Sequence, residues 1–301
     1  MRVGVKIRAV SAGGRPEACL YAALDSPPEC HDRLLLELVA PIVREIGNDE
    51  RLDSLFFVRF ADPTWQLRFR VLGRPDWIDD AVRPLLSRAI GPFAESGVIK
   101  GVEYGEYARE WDRYGGPLGM ELAERMFLQD SLSCLDLLEA ESKGRLLGSR
   151  REYSLRFTER FLDLFKFDDA RRRRFYLEGH SWAFRDGVFR EEDRPRLARQ
   201  YAGVRDALLR SIRDSGADDP ASVFGGPEPA RIATAALIAM RPVADQLLAA
   251  HAEGSIRQDL VYLAWSYAHL HCNRLGIDVV PEAILRYLMF RAYDELAGPP
   301  G

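Results

Sequence analysis

Cysteine is scarce in this chain and poorly placed for cross-linking or for zinc. The 301 residues hold four, Cys19, Cys30, Cys134 and Cys272, with no C-x-x-C pair among them. Neither a disulfide framework nor a thiolate metal site is expected. No cluster of His, Cys and carboxylate has metal-ligand spacing either, so no metal and no other cofactor is expected. An excess of one charge sign is also missing, since 42 basic and 46 acidic residues leave a formal charge of −4. That balance excludes a broad electrostatic footprint for nucleic acid, although a local basic groove can hide within it. No apolar run approaches the roughly 20 residues that span a bilayer. No N-terminal stretch combines basic residues, an apolar segment and a small-residue cleavage site. Internal repeats and low-complexity tracts are absent. What is present is a chain of 47% hydrophobic content, long enough for one large domain or two smaller ones. It is expected to be cytoplasmic.

The first 116 residues carry strand and helix patterns in alternation. "EACLYAAL" (17–24) reads as a strand, and "HDRLLLELVAPIVREI" (31–46) has helical apolar spacing with Pro41 as a kink or break. Strands are expected at 55–61 and 66–72, joined by the turn residues Asp62, Pro63 and Thr64. Residues 76–90 read as a helix and 98–108 as a strand. The order β-α-β-β-α-β is that of the split βαβ, or ferredoxin-like, fold. From residue 117 the pattern is helical, beginning with "PLGMELAERMFLQDSLSCLDLLEA", which has a proline near its start. Further helices are expected at 151–166, 169–182, 192–214, 229–250 and 256–275. The stretch "DSGADDPASVFGGPEP" (214–229) reads as a connection or a flap. The expected class is α+β, with a sheet-containing part (1–116) packed on a helical part (117–301).

Three stretches hold candidate chemistry. Side chains alternate along a strand, so "QLRFRV" puts Leu67, Phe69 and Val71 on one face and Gln66, Arg68 and Arg70 on the other. Arg59 lies on the neighbouring strand. Arginines on a sheet face are ordinarily solvated and ion-paired. Their planar forks also match carboxylates and enolates and never lose their charge, which makes the pair a candidate anion clamp. In "YAREWDRYGG" (107–116), Glu110 and Arg113 are three apart and adjoin if the segment forms one helical turn. Gly115 and Gly116 end that turn and permit an unusual backbone. In "YAHLHCNRLG" (267–276), His269 and Asn273 share a helix face with Trp265, while His271 points almost the opposite way. One site therefore takes one imidazole, and Asn273 is placed to fix its tautomer, with Arg274 near the last carbonyls. Two other stretches are set aside. "GHSWA" (179–183) resembles a nucleophile elbow but follows helical sequence, and "RRRR" (171–174) reads as an ion-paired helix face.

Taken in order along the chain, "DRLLLELVAPIV", "LFFVRFADPTWQLRFRVLG", "YAREWDRYGG", "MFLQDS" and "SYAHLHCNRLG" resemble the C-terminal domain of lantibiotic dehydratases. That domain also stands alone as the thiopeptide-type bacteriocin biosynthesis domain. The resemblance runs from about residue 17 to 290. It implies a lyase that eliminates glutamate from glutamylated Ser or Thr in a precursor peptide, leaving dehydroalanine or dehydrobutyrine. The arginines of the family's H-L-R-L-R strand fall on Arg68 and Arg70. Its E-x-x-R-Y-G-G motif falls on Glu110 and Arg113, and the histidine of its H-M-x-x-N-R motif on His269, followed by Asn273 and Arg274. Arg109, beside Glu110, joins Asn273 and Arg274 as an expected substrate contact. Gln66 stands where the family has histidine, and Leu270 where it has methionine.

The implied chemistry suits these residue types. Esterified through glutamate, a hydroxyl leaves as a carboxylate whose conjugate acid has a pKa of about 3.5. The harder step is loss of the peptide α-proton, which creates enolate character on the neighbouring carbonyl. An imidazole manages that step only if fixed positive charge stabilises the enolate. His269 is thus expected to shuttle the proton, while Arg68, Arg70 and Arg113 serve the enolate and the glutamate, with Glu110 placing Arg113. The reading requires sheet arginines and helix imidazole to converge on one cavity. The implied partners are the glutamylated precursor and a separate glutamyl-tRNA-dependent protein, with no direct tRNA or membrane contact, and a homodimer left open. The alternatives are a pyridine synthase, which joins two dehydroalanines in a formal [4+2] cyclisation, and a non-catalytic precursor- or partner-binding module.

Overall fold

The structure, a computed structural model, describes residues 18–61, 63–213 and 219–298. Glu17, Asp62 and residues 214–218 of the expected loop lie outside those residues. The chain forms two compact units, Met1–Glu139 and Ala140–Gly301.

In the first unit, strands β1 (Ala18–Asp25), β2 (Leu52–Ala61), β3 (Trp65–Gly73) and β4 (Gly101–Gly105) form one sheet. Their order is β2-β3-β1-β4, and every neighbouring pair is antiparallel. The register makes the sheet two-faced. Leu55, Val71 and Leu20 stand opposite one another, as do Phe57, Phe69 and Ala22. All six are buried, together with the apolar sides of two helices. The opposite face carries Phe56, Arg70 and Tyr21 in one row and Val58, Arg68 and Ala23 in the next.

Helix α1 runs through His31–Leu34, Leu35–Val39 and Ala40–Ile46, and α2 through Pro75–Trp77, Ile78–Val82 and Arg83–Glu95. Pro41 therefore does not break its helix, which continues through it. Proline lacks an N–H and its ring crowds the carbonyl one turn back. In both helices a π turn, Leu35–Val39 or Ile78–Val82, immediately precedes the proline-bearing segment. The wider turn absorbs the missing bond without ending the helix. Strand β4 is shorter than the expected 98–108. It is an edge strand bounded by glycine, pairing with β1 alone, and the chain beyond Gly105 leaves the ladder. After the single turn α3 (Trp111–Tyr114), Gly115 and Gly116 take left-handed φ values of 81° and 101° and release the chain into α4 (Pro117–Ser142). The Ser54 hydroxyl donates to the Glu124 carbonyl at 2.7 Å, and Phe127 packs edge-on to Phe56 and Tyr114. Part of α4 thus covers the sheet's second face.

The second unit is helical: α5 (Arg150–Leu164), α6 (Asp169–Arg185), α7 (Arg194–Arg213), α8 (Pro227–Ala252), α9 (Leu260–Arg274) and α10 (Val279–Ala297). Helix α9 begins four residues later than the expected 256, because the Asp259 carboxylate caps it, accepting from the N–H groups of Val261 and Tyr262. "GHSWA" lies inside α6, so no strand–turn–helix elbow exists there. Within "RRRR", Arg172 pairs with Glu159 and Asp163, Arg173 with Asp294, and Arg174 with Glu178 and Asp259. Helix α8 is, among the described residues, the one helix long and apolar enough by length and composition to cross a bilayer. Its apolar window has a mean hydropathy of 1.3 and is 39% buried. Arg241, Pro242 and Asp245 interrupt it, and Ile232, Ala236, Met240, Val243 and Leu247 line one buried face. That pattern is an amphipathic helix with one buried face, its outer side carrying Arg231, Thr234, Arg241, Asp245 and Gln246.

Candidate functional site

On the second face of the sheet, Arg68 and Arg70 hold their positions through π faces and an amide. The Arg68 guanidinium lies 3.3 Å from the centroid of Phe60, and its Nε donates to the Gln66 carbonyl oxygen at 3.0 Å. Gln66, where the family has histidine, therefore orients Arg68 through its side-chain amide. Arg70 sits among Tyr21 at 4.6 Å, Tyr107 at 5.1 Å and Phe56 at 5.5 Å. Gly105 makes this possible, since a side chain there meets the Tyr21 ring at 3.1 Å. Neither arginine has a carboxylate partner among the described residues, and the Arg70 Nε is buried without a hydrogen bond. Burial pulls the Arg70 guanidinium below its ordinary pKa, with Tyr21 and Tyr107 acting against it. Arginine remains a cation throughout the working range, so an arriving anion relieves that desolvation. Each cation–π contact contributes only about 0.5–2 kcal/mol, well short of neutralising a charge.

Arg59 does not belong to this group. It stands opposite Leu67 on the other face and pairs with Asp32 at 2.6 Å.

The segment after β4 is pinned by a buried acid that no motif in the sequence marks. The Glu124 carboxylate, 7% exposed, accepts from Arg109 at 2.7 and 3.1 Å. Tyr107 lies against the same carboxylate, and burial together with that charge pushes its phenol well above the usual range. Arg109, expected at the substrate, is thus engaged by a doubly bonded carboxylate. One residue on, Glu110 accepts from Arg113 at 3.0 Å across the single turn α3, as the spacing predicts. Tyr107 links this segment to Arg70.

In the helical unit the two imidazoles of α9 have different surroundings. His271 is 2% exposed and stacks on Phe157 at 4.3 Å, with Tyr153 beyond. His269 is 25% exposed and lies parallel to Trp265, centroids 5.5 Å apart and planes 5° from parallel. The expected grouping of His269 with Trp265 holds. The tautomer partner, however, comes from another helix, since His269 Nδ1 lies 2.8 Å from Glu282 Oε2 on α10. The other Glu282 oxygen accepts from Arg286 at 3.2 Å. Burial pushes this carboxyl up, but the imidazole and the guanidinium outweigh it and hold Glu282 below the usual carboxylate range. Asn273 is half-buried one turn along, and Arg274 is 1% exposed.

The geometry supplies two things: unneutralised guanidinium charge beside aromatic surface, and a carboxylate-held imidazole. The same architecture occurs in solved structures below 25% identity, a likeness of fold. The pyridine synthase TbtD from thiomuracin biosynthesis aligns with a TM-score of 0.70 at 15% identity, over 93% of this chain and 99% of that one. TsrL aligns with 0.66 at 21% identity, over 94% and 96%. MibB, a tRNA-dependent lantibiotic dehydratase from Microbispora sp. 107891, aligns with 0.67 at 22% identity, over 97% of this chain but 29% of MibB. The class that the fold defines is therefore the one these three structures share.

The chain belongs to the lantibiotic biosynthesis dehydratase C-terminal family, which it matches over residues 20–293. It is also 34% identical over 76 residues to the subtilin biosynthesis protein SpaB of Bacillus subtilis, a match covering 25% of this chain and 7% of SpaB.

Proposed function

We propose that the chain eliminates glutamate from glutamylated Ser or Thr residues of a ribosomally made precursor peptide. The observation that carries this reading is the pair Arg68 and Arg70, two oriented guanidinium groups without a carboxylate partner among the described residues, one of them desolvated. A glutamyl ester presents the complementary charge: a free carboxylate in the substrate, enolate character in the transition state, and a second carboxylate as the bond breaks. His269 takes the α-proton; the electrons of the Cα–H bond form the Cα=Cβ double bond; the Cβ–O bond breaks and glutamate departs. Arg68 and Arg70 stabilise the enolate and hold glutamate, and Arg113, placed by Glu110, adds to the anion site. Removing one preorganised donor of this kind costs about 10²–10³ in rate. The strand order β2-β3-β1-β4, with a helix before β2 and before β4, supports a ferredoxin-like sheet as the platform for these arginines.

Purified protein incubated with glutamylated precursor is expected to release glutamate and lose its mass adduct, whereas His269→Ala accumulates the glutamylated peptide. Full dehydration by His269→Ala, with His271→Ala inactive, reverses the choice of imidazole. The fold likeness to TbtD favours one second reading, the [4+2] cyclisation of dehydroalanines. Fully dehydrated precursor as substrate separates the two, because only a cyclase changes it. Under the first reading the glutamylated peptide is supplied by a separate glutamyl-tRNA-dependent enzyme.

A further inference from the structure

Resting on His269 as the proton carrier, we infer that Glu282 is a positioning residue: clamped by Arg286, it holds His269 with its proton on Nδ1, leaving Nε2 to act on the substrate. A carboxylate is an acceptor only, so an imidazole nitrogen 2.8 Å from Glu282 Oε2 must be the donor. The neutral ring then keeps its lone pair on Nε2. Ring orientation is fixed as well. Trp265 lies parallel to the imidazole and Trp182 of α6 lies at 6.4 Å.

Arg286 has little freedom to leave. Its guanidinium lies over Phe175 at 4.8 Å, and its Cγ and Cδ lie where a Gly179 side chain would sit. Among the described residues, the charged group in hydrogen-bond contact with His269 is Glu282, itself held by Arg286, both from α10. Helix α6 presents Trp182, and α5 packs Phe157 on His271 rather than on His269. An ion pair that merely stitches α9 to α10 has no need of an imidazole whose side chain is one-quarter exposed.

Glu282→Gln separates tautomer control from packing, since the side chains have the same shape. Arg286 is a donor without acceptors, so it claims the new amide oxygen and turns the NH₂ group toward His269. Nδ1 then becomes an acceptor, and the proton moves to Nε2. Nitrogen-15 histidine spectra of the full chain, recorded at a pH where the ring signals no longer move with pH, read the tautomer directly, with His269→Asn assigning the signal. The expected result is Nδ1–H in the wild type and Nε2–H in Glu282→Gln. The variant's kcat for glutamate release is expected to fall about 10²-fold with little change in KM, the size of a lost general base.

Nε2–H in the wild type overturns the inference whether or not the variant folds. An unchanged tautomer or unchanged kcat in a folded variant does the same. If the tautomer switches as described but the wild type releases no glutamate, the positioning role stands and the elimination reading fails.

Discussion

His31 shows burial outweighing the nearby carboxylates of Asp32 and Glu29 on a histidine. The residue is 0% exposed, one ring nitrogen faces the Ser26 carbonyl at 3.1 Å, and Trp65 meets it edge-on. Burial, reinforced by the Arg59 charge, lowers its pKa from 6.5 to about 4. Between those values the unfolded chain binds a proton that the folded chain refuses, so stability is fully present above pH 6.5 and drains away as pH falls toward 4. From pH 7 to 5 the loss attributable to His31 is about 2 kcal/mol. Urea unfolding at the two pH values should show that loss in the wild type and not in His31→Gln, whose amide still reaches the Ser26 carbonyl. Equal pH dependence in both proteins rules out the assignment. His269 differs by its partner, and that partner was not visible in the sequence. The arginines of β3, Glu110 with Arg113, and His269 were legible because spacing and motif marked them. Glu124, Glu282 and Arg286 were not, because a buried acid or base reads in one dimension like any solvated charge.

At the scale of elements, α6, α9 and α10 meet closely because Gly179 has no side chain. A Cβ at that position lies 3.1 Å from Arg286 Cγ and 3.3 Å from Trp265 Nε1. Glycine to alanine in a helix interior normally stabilises by about 0.5–1 kcal/mol. Here the neighbours cannot yield, since Glu282 and Phe175 fix Arg286, and overpacking costs about 1–3 kcal/mol. Gly179→Ala is therefore expected to lower the melting temperature. Gly203→Ala on α7, where a Cβ meets nothing within 4 Å, is expected to raise it. Thermal melts of the two variants check the sign, and a rise in both removes the packing argument. Element identity was largely legible in the sequence, with strands and helices falling where alternation and helical spacing put them. The exceptions have two causes. Helix α10, beyond the last helix expected, places Glu282 and Arg286 on its buried face beside Ala283 and Tyr287. Those charges break the apolar stripe that announces a helix. The π turns before Pro41 and Pro84 leave no mark on the stripe, because only the backbone changes.

At the scale of the whole molecule, the 42 basic and 46 acidic residues nearly balance, and among the described residues many of the arginines are held in local pairs. Three members of "RRRR" are tied to carboxylates, and Arg194, Arg205 and Arg231 pair with Glu191, Glu295 and Glu228. Exposed pairs of this type contribute about 0–1 kcal/mol each to stability. Their larger consequence is to occupy the cations that a phosphate backbone would need. Nucleic-acid affinity comes from releasing counterions by neutralising several phosphates, which makes it strong in low salt and steeply salt-dependent. Guanidinium groups that already hold carboxylates gain little by that exchange. Under the proposed division of labour, glutamate reaches this chain as a peptide ester, and tRNA is handled by the glutamylating partner. Glutamate release from a glutamylated precursor is therefore expected to change less than twofold when excess tRNA is added at near-physiological ionic strength, where screening acts over about 8 Å. Precursor length and sequence stay constant across the assay, so peptide binding does not confound it. Inhibition by tRNA that is relieved as salt rises would locate a basic groove on this chain and assign it part of the tRNA-dependent step.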